Sequence, residues 1–95
     1  GRVVNLVGAN ALAGDPERLH VSAAKHGLVG MTFSLASACA ADGITVNAVS
    51  PGKMNPPDDT LAAARRARLA ATVAFLASPD GGDITGQVVE VGPRG

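Results

Sequence analysis

"ADGITVNAVSPG", residues 41–52, organises the chain around it. Gly43 marks the end of a helix, since glycine is the usual residue just past one. Ile44 to Gly52 then reads as a strand closed by Pro51 and Gly52. Upstream, His20 to Ala41 reads as a helix, with Ala24, Leu28, Leu35 and Cys39 near one stripe and Met31 and Ala38 beside them. Before it, "ANALAGDPERL" reads as a loop in which Gly14, Asp15 and Pro16 are turn residues. "RVVNLVG", Arg2 to Gly8, is a β-branched run ended by glycine, the pattern of a strand buried on both faces.

Downstream, the polar "KMNPPDD" leads into a second helix from about Thr60 to Ala77, with Leu61, Leu69, Val73 and Leu76 as its apolar positions. Asp59 or Thr60 is the expected cap. "SPDGGDITG" is a turn region, and "QVVEV", Gln87 to Val91, is a third strand. Strands alternating with helices predict parallel βαβ units with right-handed crossovers, hence an open α/β sheet. Two right-handed crossovers advancing in one direction put both helices on one face. A bare second face is therefore expected, pointing to a missing half, an oligomer or a partner chain.

The 95 residues suffice for one small domain with a thin stability margin. Hydrophobic residues make up 46% of the chain, but they are mainly Ala, Val and Leu, with two Phe and neither Trp nor Tyr, so the core must form by close packing of small side chains. Eight basic residues balance eight acidic ones. That balance removes the broad electrostatic attraction that nucleic acid or an anionic membrane surface needs, and neither is expected as a partner. The single cysteine, Cys39, excludes an internal disulfide framework and fits a reducing cytosol; it reads as a small buried helix residue. No apolar run is long enough for a membrane span, and no leader resembles a signal peptide. A start at Gly1, without an initiator Met and directly before an apolar strand, suggests a piece of something longer or a processed product.

Four short motifs need weighing. "GANALAG", Gly8 to Gly14, lacks the G-x-G-x-x-G spacing that brings backbone amides to a pyrophosphate. "SAAK", Ser22 to Lys25, has the S-x-x-K spacing of a nucleophile and base pair, but its S-D-N and K-T-G companions are absent. "RRAR", with Arg65, Arg66 and Arg68, reads as a solvated helix face before it reads as a phosphate clamp. His20 and His26 lie six apart with neither a cysteine nor an acidic cluster beside them, so no metal site is expected.

Taken together, "GRVVNLVG", "VSAAKHGLVGMTFSLASACAADGITVNAVSPG" and "VAFLASPDGGDITGQVVEVG" resemble the C-terminal half of the short-chain dehydrogenase/reductase family. The likeness covers nearly all of the chain except residues 53–70. It implies a Rossmann-like parallel sheet, residues 1–95 forming a single partial domain without the N-terminal cofactor-binding half. It also implies an oxidoreductase ancestry in which NAD or NADP exchanges hydride with a carbonyl or alcohol. In the family's usual mechanism a tyrosine transfers the proton. A lysine four residues later lowers that tyrosine's pKa and holds the nicotinamide ribose, and a serine at the preceding strand end polarises the substrate oxygen. A phenol with a pKa of about 10 needs a neighbouring cation to ionise near neutral pH.

Lys25 matches the family lysine, but the tyrosine position holds Val21 and the serine position holds Gly8. Valine has no proton to give, the chain has no other tyrosine, and neighbouring His20 is turned about 100° away along the helix. By the resemblance, Lys25, Pro51 and Gly52 are the residues left near the nicotinamide. Pro56 stands near a position where the family has a carboxamide-contacting threonine, and the mobile substrate lobe looks shortened. The implied protein is an oxidoreductase-like chain, cytoplasmic and inactive alone: a decayed fragment, or a structural subunit in a homo-oligomer or a hetero-oligomer with another chain of the family. The alternative is part of an active NAD(P)-dependent carbonyl reductase or alcohol dehydrogenase whose other half lies elsewhere. The family helix matching Val21 to Ala41 packs in a dimer interface, where Gly27, Gly30, Ala36 and Ala38 would permit close approach.

Overall fold

The computed structural model describes residues 1–8, 14–52, 54 and 56–92. Strand β1 (Arg2–Leu6) leads to helix α1 (Leu19–Cys39), strand β2 (Thr45–Pro51), helix α2 (Asp59–Ala77) and strand β3 (Val88–Val91). One-turn 3₁₀ segments follow each helix, at Ala40–Asp42 and Pro79–Gly81. The strands form a parallel sheet in the order β1-β2-β3, with Arg2 opposite Thr45 and Val49 opposite Val89. The α/β class, three strands and two helices therefore agree with the sequence pattern.

Punctuation explains the element ends. Gly43 adopts φ 69° and returns its N–H to the Ala40 carbonyl, a left-handed stop that favours glycine. The α2 cap is Asp58, one residue ahead of the expected Asp59 or Thr60. Its carboxylate accepts from the N–H groups of Thr60 and Leu61 at 2.9 and 3.1 Å. A carboxylate there satisfies amides that the helix cannot bond internally and opposes the positive end of the helix dipole.

The expectation of one bare sheet face is overturned. Six successive β2 residues, Thr45 to Ser50, are all buried, although consecutive side chains point to opposite faces. Val7, Val29 of α1 and Ala48 share one cluster, so α1 covers the Ala48 face. Arg2, whose register partner is Thr45, points to the other face, where its Nε donates to the Ser78 carbonyl at the end of α2 (3.2 Å). Helix α2 packs across all three strands on that side. Equal crossover hands would have put both helices together, so one of the two crossovers is left-handed, against the strong general preference.

Three further expectations change with this arrangement. The sheet-facing residues of α1 are Val29, Thr32 and Ala36. The apolar stripe read from the sequence lies to one side of them: Ala24, Met31, Leu35 and Ala38 are exposed, and Leu28 and Cys39 are half-buried. Strand β1 is not buried on both faces, because it is a sheet edge on which Val3 is 38% and Leu6 59% exposed. In α2, Ala62 and Leu76 are buried and Leu69 and Val73 half-buried, while Leu61 is exposed.

Gly81 closes the fold after α2. A Cβ there would lie 2.6 Å from the Phe75 carbonyl oxygen and 2.8 Å from that of Leu76, both backbone atoms of the helix end. Gly81→Ala is therefore expected to cost about 1–3 kcal/mol, the range for forcing extra atoms into a packed site. Urea denaturation of the two proteins checks it.

Candidate functional site

The carboxyl ends of parallel strands are where an open α/β sheet presents its binding groups. Here β1 ends at Leu6 and runs on to Gly8, and β2 ends at Ser50-Pro51 before Gly52. Two bonds hold these ends together: Val7 N–H donates to the Val49 carbonyl (2.9 Å), and the Ser50 hydroxyl donates to the Gly8 carbonyl (3.3 Å). Gly52 N–H donates to the Val91 carbonyl at 2.6 Å, tying β3 to the same edge. Ser50, 2% exposed, is a site residue that the motifs did not single out. Its only sequence signal is a hydroxyl directly before the Pro51-Gly52 stop.

Helix α1 delivers Lys25 to this edge. Its register over the sheet is fixed by the contact of Val29 with Val7 and Ala48, and by a polar relay in which Asn5 Nδ2 donates to Thr32 Oγ1 (3.2 Å) while Thr32 Oγ1 donates to the Leu28 carbonyl (2.9 Å). One turn nearer the helix start than Val29, the Lys25 side chain meets Gly8: a Cβ on Gly8 would lie 2.7 Å from Lys25 Cε and 3.2 Å from Nζ. Val21, half-buried, stands one further turn along the same helix face. Gly8, Val21 and Lys25, separated in sequence, thus belong to one end of the sheet, beside Pro51 and Gly52. Neither Gly8 nor Val21 supplies a group that can carry a proton.

Other candidates fall elsewhere. Ser22 of the S-x-x-K pair lines a wide-open depression of about 570 Å³ on the flank of α1, with Asp15, Pro16, Leu19 and His26. Within it the Glu17 N–H bonded to the Asp15 carboxylate, with help from the Arg18 guanidinium, holds that carboxyl below its ordinary range. The His26 ring nitrogen Nδ1 lies 2.9 Å from the Ser22 carbonyl oxygen. Among the described residues no three His, Cys, Asp or Glu side chains cluster as metal ligands. Arg66 and Arg68 are exposed and Arg65 half-buried. Residues 9–13 of "GANALAG", and Lys53 and Asn55 of "KMNPP", lie outside the described residues. Gly27, Gly30 and Ala38 lie exposed, as an interface requires, whereas Ala36 turns to the sheet.

A dinucleotide needs free helix amides for its pyrophosphate. The start of α2 is already taken by the Asp58 carboxylate, whereas the first amides of α1 carry no side-chain cap but follow no G-x-G-x-x-G turn in the sequence.

Known proteins share this fold. A family model described as enoyl-(acyl carrier protein) reductase matches residues 1–66. A 3-oxoacyl-[acyl-carrier-protein] reductase of Rickettsia bellii is 36% identical over 107 aligned residues, which cover 96% of this chain and 44% of that protein. The same kind of reductase from Haemophilus influenzae is 38% identical over 96% of the chain and 44% of its own. Among solved structures, a 4-hydroxyisoleucine dehydrogenase complexed with NADH and succinate superposes with TM-score 0.83 and 29% identity over 99% of this chain and 44% of that one. Acetoin dehydrogenase from Enterobacter cloacae gives 0.82 and 33% over 96% and 41%. The chain belongs to the short-chain dehydrogenase/reductase family of Rossmann-type oxidoreductases. It spans under half the length of the relatives it matches. None of its described helices is long and apolar enough to cross a membrane.

The Asn5-Thr32 relay is expected to carry the placement of Lys25. Thr32→Val keeps the shape but leaves the half-buried Asn5 amide without its acceptor, and should cost about 0.5–1.5 kcal/mol. Ser34→Ala on the exposed side of the same helix should stay within about 0.5 kcal/mol. Equilibrium denaturation compares the two.

Proposed function

We propose that this chain is a non-catalytic C-terminal half of a short-chain dehydrogenase/reductase fold, and that it serves as a structural partner of another chain of the family. The observation that carries this is the composition of the strand-end site. Lys25 remains, while Gly8 and Val21 occupy the positions where the family resemblance calls for a hydroxyl and a phenol. Lys25 alone can orient an alcohol or anchor a ribose hydroxyl; it cannot complete the proton transfer that accompanies hydride exchange.

NAD or NADP enters this reading only through the family. When bound, it would supply or accept the hydride, and Lys25, Pro51 and Gly52 would face its nicotinamide end. The pyrophosphate calls for a glycine-rich turn at a helix start, and the sequence has no G-x-G-x-x-G spacing ahead of either helix. Residues 1–95 are accordingly one partial Rossmann-like domain, whose cofactor half comes from residues outside this sequence.

The partner surface follows from the sheet. Gly1 C=O and Val7 N–H face β2, accepting from Thr45 N–H and donating to the Val49 carbonyl. Alternation along the strand turns the backbone groups of Val4 and Leu6 outward. Beside that edge, α1 presents Met31 and Leu35, 47% and 38% exposed. A parallel strand followed by a helix, the repeating unit of the family fold, would pair the first and bury the second. The assembly would be a homo-oligomer, or a hetero-oligomer with a related chain, in the cytoplasm.

Titration of the purified chain with NADH and with NADPH, followed by nicotinamide fluorescence, is expected to show no micromolar binding. Saturable micromolar binding would overturn the cofactor reading. The double change Gly8→Ser with Val21→Tyr should yield no ketone reduction by this chain with NADPH. Measurable turnover would overturn the claim that the chain lacks the half needed for catalysis.

A further inference from the structure

Among the described residues the glycines held at positive φ are Gly43, Gly86 and Gly92, and Gly8 is not one of them. What glycine provides at position 8 is therefore room. The three atoms nearest to a Cβ there are all from Lys25: Cε at 2.7 Å, Nζ at 3.2 Å and Cδ at 3.6 Å. Carbon atoms rest at about 3.5–4.0 Å from one another, so the end of the lysine chain runs through the space that any side chain at position 8 would take.

Neither backbone can withdraw to relieve such a contact. The Gly8 carbonyl accepts from Ser50, and the preceding Val7 N–H is bonded to Val49. Helix α1 is pinned by Thr32 to Asn5 and by Val29 to Val7 and Ala48. The adjustable part is the lysine side chain, whose end lies nearest to the added atom and whose torsions have several staggered positions.

We infer that Gly8 and Lys25 form a coupled positioning pair, in which the missing side chain at position 8 lets Lys25 lie across the end of β1 and sets where its ammonium stands. Any side chain at 8 turns the lysine outward. Restoring a hydroxyl at position 8 therefore moves Lys25 as well as adding the hydroxyl. This holds whether or not the chain binds a cofactor or a partner, because it rests on packing alone.

The test uses the 95-residue chain and its Gly8→Ala variant, which adds only the Cβ. Limited acylation with an N-hydroxysuccinimide acetate is read by mass spectrometry as the ratio of modified Lys25 to modified Lys53, the only other lysine. The ratio is expected to rise severalfold in Gly8→Ala as the amine leaves the strand end. An unchanged or lower ratio overturns the pairing. Thermal unfolding of Gly8→Ala, Lys25→Ala and the double variant gives a second reading. The added methyl should be more favourable with alanine at 25 than with lysine, and an identical change in Tm in both backgrounds overturns the inference.

Discussion

The constraint on which the structure rests is the complete burial of β2. Six consecutive side chains from Thr45 to Ser50 are enclosed, so the strand must be covered on both faces and paired on both edges. Pairing brings β1 and β3 to its sides, and coverage requires one helix above and one below. The small residues of the chain make this possible: Val46, Ala48 and Val49 leave space for helices to lie close, and the packing density of an interior depends on such fit. Buried Asn47 adds a polar constraint. Its amide donates to the Ile84 carbonyl (2.9 Å) and its oxygen accepts from Gln87 N–H (3.1 Å), which directs the chain into β3. Satisfying both amide groups is what makes such a residue tolerable at 0% exposure.

The same constraint decides what the molecule has to offer at its carboxyl edge. With β2 fixed, Ser50 reaches the Gly8 carbonyl, and α1 is set at the height where Lys25 meets Gly8. Under the proposed function, the fold would keep the scaffold of an oxidoreductase site more faithfully than its chemistry. A lysine remains at the end of the sheet, while the groups that would exchange a proton beside it are a hydrogen and an isopropyl. The proposed role shifts weight from the site to the surfaces, above all the β1 edge and the exposed flank of α1.

The order of elements was legible because each is bounded by a residue with a physical reason to stop it: Gly43 by its positive φ, Pro51-Gly52 at the end of β2, and an aspartate at the start of α2. Sidedness was not legible. The stripe through Ala24, Met31 and Leu35 is real, yet it flanks the sheet-facing residues, one of which is the polar Thr32. A helix with apolar residues on more than one side has no single face for a periodicity to reveal. The crossover rule then failed for one of two crossovers, because a preference in handedness yields to the need to cover both faces of β2. At the candidate site, the expectation for Lys25, Val21 and Gly8 came from motif order. Their packing was not, since a contact between positions 8 and 25 leaves no trace in either neighbourhood.

The central claim is that the fold opens at β1, leaving an edge for a partner, and amide hydrogen exchange addresses it most directly. In the 95-residue chain, Val3, Asn5 and Val7, whose N–H groups face β2, should exchange slowly, and Val4 and Leu6, which face away, should exchange at nearly the rate of an unstructured chain. Comparable protection at all five amides would contradict the claim, because it would mean that the edge is already paired.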